Sequence, residues 1–103
     1  MKKIKIDGPE AKGYAELVVR GDNTFLDLTD LWVAPGAPDV QIAFGSNING
    51  ELDDSLQHIS ALKYGSTEFS FDVSQKNLLK AKTVIIYCKQ FNAHFGHGVI
   101  NIA

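Results

Sequence analysis

The chain has 103 residues, 45% hydrophobic and 21% charged, with 10 Lys and Arg against 12 Asp and Glu for a formal net charge of -2. That length fits one domain over residues 1-103 with a single core, and the near-even charge provides no field for phosphate backbones, so nucleic acid is not an expected partner. A single cysteine rules out an intramolecular disulfide, a Cys-x-x-Cys redox pair, a Cys-rich zinc site and a Cys-x-x-Cys-His haem attachment.

Met1-Lys2-Lys3-Ile4-Lys5-Ile6-Asp7 carries the charge of a signal-peptide start without the apolar segment that should follow, so the sequence predicts no secretion signal. No apolar run approaches the roughly 18 residues of a membrane span. From there on, short apolar runs recur between Gly, Pro, Asn and Asp clusters, the pattern of an all-β antiparallel sandwich. Strands are expected over Lys3 to Ile6, Tyr14 to Arg20, Thr24 to Val33, Asp39 to Phe44, His58 to Leu62, Thr67 to Asp72, Thr83 to Lys89 and His94 to Ile102. Arg20-Gly21-Asp22-Asn23 predicts a hairpin between the second and third, because Gly, Asp and Asn tolerate the positive φ of tight turns.

Within the third strand, Leu28 and Leu31 are three apart and cannot face the same side of a regular strand; a bulge near Thr29-Asp30 would reconcile them. Pro35, Gly36 and Pro38 break the chain before Val40-Gln41-Ile42-Ala43-Phe44, and an irregular stretch then runs from Gly45 to about Gln57. Asp53-Asp54 reads as a solvated part of that loop and Asp30 as a turn or bulge residue. Gln75 to Lys80 is the only helical candidate, a turn at most.

The run that could carry chemistry is Thr83-Val84-Ile85-Ile86-Tyr87-Cys88-Lys89-Gln90-Phe91-Asn92-Ala93-His94-Phe95-Gly96-His97. Its first part is apolar on both faces, as in a central strand covered on both sides. Alternation puts Cys88 on the face of Val84 and Ile86, with Tyr87 opposite. Two readings of Cys88 stand: a small core hydrophobe, or a reactive thiol at a strand end beside Lys89 that could oxidise or ligate haem iron. His94 and His97 on a regular strand point to opposite faces, and only a bulge at Gly96 would join them as metal ligands. No motif of a hydrolase or nucleotide-binding protein is present.

The same run resembles the closing signature of the electron-transfer DM-thirteen domain family: an apolar strand, an aromatic residue, a cysteine, then Phe and Phe-Gly, here Val84-Ile85-Ile86-Tyr87-Cys88 with Phe91 and Phe95-Gly96. Gly13 with Tyr14 to Val18, Leu26-Asp27-Leu28-Thr29-Asp30-Leu31 and Pro38-Asp39-Val40 are similar to its earlier blocks. Tyr87 stands where the family usually has Trp, and Gly98 where it has Ala. The resemblance implies a β-sandwich, an extracytoplasmic setting, and a redox or electron-transfer accessory role beside a partner protein or cytochrome-like domain rather than a stand-alone enzyme. It further implies Cys88 as the redox group, bare or as ligand to a prosthetic group such as haem, with Tyr87, Phe91 and Phe95 shaping its surroundings. From another class, the sandwich could be a binding or adhesion module presenting the loop from Gly45 to Gln57, with Cys88 as core packing.

Overall fold

The structure, a computed structural model, describes residues 3-100. Eight strands follow in chain order: β1 (Ile4–Ile6), β2 (Ala11–Arg20), β3 (Asn23–Val33), β4 (Val40–Gly45), β5 (Gln57–Ala61), β6 (Phe69–Asp72), β7 (Thr83–Cys88) and β8 (Ala93–Val99). They form two four-stranded sheets, β1-β2-β3-β6 and β5-β4-β7-β8, with every neighbouring pair antiparallel. The all-β sandwich read from the periodicity is the observed fold. The expected continuation of the last strand to Ile102 falls partly outside the described residues.

Alternation builds the core. Ala15 and Leu17 of β2, Leu26 and Leu28 of β3, Val40, Ile42 and Phe44 of β4, and Val84, Ile86 and Cys88 of β7 all turn inward and pack in one cluster between the sheets. The β2–β3 hairpin closes through Gly21 and Asp22, with Arg20 opposite Asn23. Farther along that pair, Lys12 faces Trp32 while Tyr14 faces Thr29, so Asp30 and Leu31 together oppose Gly13. Asp30 takes a φ of 52° there. This is the bulge required by the Leu28/Leu31 spacing, and it returns Leu31 to the core.

Along one side, the sheets are stitched together. Asp7 and His97 exchange two backbone hydrogen bonds of 3.0 Å each, and the Glu10 amide donates to the Phe95 carbonyl at 3.1 Å. So close an approach requires a strand without side chains at the seam: a Cβ at Gly98 would lie 2.4 Å from the Lys5 carbonyl oxygen, and one at Gly96 2.7 Å from that of Ala11.

No helix occurs among the described residues. The 75-80 segment makes tight turns instead, with the Lys76 amide donating to the Val73 carbonyl at 3.0 Å and the Lys80 amide to that of Asn77 at 3.2 Å. The Gln57 side chain clamps the Asn77 backbone from both sides, donating to its carbonyl at 2.9 Å and accepting from its amide at 2.7 Å. A helix this short has too little propagation to form on its own, and the Gln57 bonds pin the segment in its turns.

Candidate functional site

Strand β7 lies between β4 and β8 and is buried along its whole length. Its inward residues meet the opposite sheet. Its outward residues, Ile85 and Tyr87, would meet water in a bare sandwich; here they join Ala43 in a second apolar cluster capped by Leu52 and Leu56 of the 46-56 loop. That loop holds its shape by local bonds: Asn47 Oδ1 accepts from the Asn49 amide at 2.8 Å, and Asp53 Oδ1 from the Ser55 amide at 2.9 Å. The bonds from Ser55 hold the Asp53 carboxyl below its ordinary pKa, as expected for a loop carboxylate serving a turn.

Cys88, the last residue of β7, faces Val40 on β4 and Ala93 on β8. Its side chain is 0% exposed and belongs to the main core. Phe95 joins the same core, whereas Tyr87 lies on the outer face and Phe91 is 64% exposed on the β7–β8 turn. Of the four residues expected to act together, only Cys88 and Phe95 therefore share an environment. Lys89 is exposed, with its amide donating to the Asp39 carbonyl at 2.9 Å. An iron ligand needs a face of sulfur open to the metal and room for the macrocycle beside it. Cys88, sealed among apolar side chains, has neither, and the residues present do not fit haem ligation through this sulfur.

The two histidines do meet. Ile86 faces Gly96, but Tyr87 faces His94, leaving Phe95 as an extra residue in β8. This bulge sits one residue before the expected Gly96, and it switches the parity of the strand. His94 opposite Tyr87 and His97 opposite Ile85 thereby occupy the same outer face. His94 Nε2 lies 2.9 Å from His97 Nδ1, with the rings edge-on at 64°. Burial, and secondarily the neighbouring His97, push the His94 pKa below the ordinary imidazole value, partly offset by a hydrogen bond with its own backbone. Tyr87, opposite His94, has its phenol pKa raised by burial and then by the negative charge of Asp39.

Two further groups on this face have only weak sequence signals. Gln41, opposite Tyr87, is a buried polar residue whose side chain joins Asp39 to His58 of β5. Its place in an alternating strand marks a polar outward position, but nothing local shows that it will be buried. A separate cleft of about 190 Å³ lies beside Leu31, Val33, Leu62, Tyr64 and Phe69, with Trp32 47% exposed on its rim. It is smaller than the roughly 300 Å³ at which small-molecule pockets begin. Leu62 donates its amide to the carbonyl of Val40, the residue facing Cys88, so the cleft and the cysteine occupy the same end of the sandwich.

Fold and site together define a two-sheet antiparallel sandwich with a lone thiol sealed in its core and a histidine pair on one outer face. The chain belongs to the Electron transfer DM13 family, whose model matches residues 5–100. The resemblance read from the Cys88 block is thus borne out over nearly the whole chain. Membership makes this an electron-transfer domain, a role that requires a redox partner. No curated protein and no solved structure matches the chain. Among the described residues, no helix is long and apolar enough to cross a membrane.

Proposed function

We propose that the chain is a redox accessory domain in which Cys88 is the active thiol, reacting with a partner when the end of the sandwich that bears it opens locally. The observation that supports this most is position: within a family match spanning residues 5–100, the only cysteine ends its strand, one residue before the exposed Lys89-Gln90-Phe91-Asn92 turn. Turns of that kind belong to the low-stability part of a fold, where openings much smaller than global unfolding occur. Once open, the Cys88 thiolate would attack a partner disulfide, forming a mixed disulfide and releasing the other partner sulfur as a thiol. The partner disulfide is the oxidant, and Cys88 is oxidised. Tyr87, Phe91 and Phe95 then have separate places: Phe95 packs in the same core as the thiol, Phe91 offers an exposed aromatic at the turn for a partner, and Tyr87 lies on the outer face.

Thiol labelling of the folded protein tests the proposal. Labelling through a local opening should depend only weakly on denaturant and be faster than global unfolding permits. A rate that tracks global unfolding, with the same denaturant slope, would sink it. The adhesion reading has less support, because the 46-56 loop places Leu52 and Leu56 against its own sheet.

A further inference from the structure

We infer that His94 and His97 form a metal site on the outer face of the β5-β4-β7-β8 sheet, taking one first-row ion of the imidazole-preferring kind, with copper(II) held most tightly. The bulge at Phe95 makes the site, since it alone brings the two rings to one face. Two ring nitrogens converge there from neighbouring positions, at 2.9 Å. Two imidazoles on adjacent corners of the tetragonal geometry that copper(II) prefers, each at about 2.0 Å from the ion, would have their nitrogens about 2.8 Å apart. The observed separation already matches, and sharing a metal asks mainly that each ring tilt by about 45° to aim its lone pair at the ion instead of at its neighbour.

In the pair without metal, one ring donates N–H to the lone pair of the other. On binding, that proton moves to the donor ring's other nitrogen, both converging nitrogens offer lone pairs, and no proton is released when both rings start neutral. The surroundings keep the pair together. His97 is fixed in the seam by its two backbone bonds to Asp7, and Gly50 of the covering loop lies so close that a Cβ there would stand 2.6 Å from the His97 ring. Both histidines are half-buried, so part of the pair meets solvent, and an ion held there would take its remaining ligands from water or from a partner. Copper(II) leads because imidazole ligands follow the divalent stability order that peaks there.

The test is titration of the metal-free full chain with copper(II), followed by electron paramagnetic resonance. The expected result is one tight equivalent with hyperfine splitting from two nitrogens. His94→Gln and His97→Gln should each weaken binding at least about tenfold, while His58→Gln, on the same face but bonded to Gln41, leaves it within twofold. Imidazole nitrogen NMR of the unmodified protein with zinc(II) gives a readout independent of any variant's folding: the His94 and His97 signals should shift together at one equivalent while His58 stays put. Copper affinity unchanged in the His97 variant, or zinc shifts led by His58, would overturn the inference.

Discussion

Cys88 and its immediate predecessor, Tyr87, lie on opposite faces of one strand, in environments with different chemistry. The inner face carries Val84, Ile86 and Cys88 into a core without a charged group. The outer face carries Ile85 and Tyr87 beneath a loop, flanked by Gln41, His58, His94 and His97. One face is dry because two sheets interlock across it. The other is only partly dry, because a single turn-rich loop covers it with two leucines and a glycine. Burial of a strand on both sides is thus reached by two means of unequal strength, and the titratable groups collect on the weaker side, where water can still solvate them.

The largest expected difference between the faces is in packing. Ile86→Ala should cost about 3–4 kcal/mol, as for a fully enclosed aliphatic, whereas Leu56→Ala in the loop should cost about 1–2 kcal/mol because its site is half-buried and can collapse. Urea unfolding midpoints measure both, and equal costs would break the distinction. Gly50→Ala comes next. At a φ of 73°, with the His97 ring 2.6 Å from the new Cβ, it should cost about 1–3 kcal/mol. Hydrogen exchange should show the loss first in the 46-56 loop and β8 and last in the β2–β3 pair; uniform loss would mean that the loop is not a separate cover.

Cys88 itself reports how dry the inner face is. Cys88→Ser should be about 1–2 kcal/mol less stable than Cys88→Ala, because a hydroxyl enclosed by apolar side chains has no partner to replace water. If the two variants melt together, water reaches that position. The smallest effect lies on the exposed face of the other sheet. There Arg20 donates to Asp27 at 3.1 Å through one guanidinium nitrogen, with a second contact alongside, and Ser70 adds a bond of 2.6 Å. The Arg20 bonds foremost, then Ser70, hold the Asp27 carboxyl below 3.8. A depressed folded pKa contributes stability above pH 3.8, lost as pH falls through the folded value. Arg20 is half exposed and Asp27 keeps 21% of its side-chain surface open to water, so solvent screens the pair. Arg20→Ala should therefore lower stability slightly at neutral pH, and that gap should close in strong acid; a gap that persists there would mean Arg20 acts through packing on Phe25, over whose ring its guanidinium sits at 5.3 Å.

By itself the sequence determined the all-β class, the eight strands to within a few residues, the bulge between Leu28 and Leu31, and that Cys88 shares a face with Val84 and Ile86. All of these follow from side-chain parity, which a strand imposes locally and which is readable wherever apolar and polar residues alternate. The family was legible too, from the Cys88 block. Tertiary structure alone decided the rest. The bulge of β8 falls at Phe95 because Phe95 fills the core while Gly98 must lie against β1 and Gly96 against Asp7 and the start of β2, a constraint from strands far away in the chain. The 46-56 loop covers Tyr87 because Leu52 and Leu56 find Ala43 and Ile85 across the sheet, although their own segment has no periodicity. The turns of Gln75 to Lys80 are pinned by Gln57, distant in sequence, which bonds both backbone groups of Asn77. Parity is a property of neighbours along the chain; which face is sealed, and which histidines meet, depends on neighbours in space.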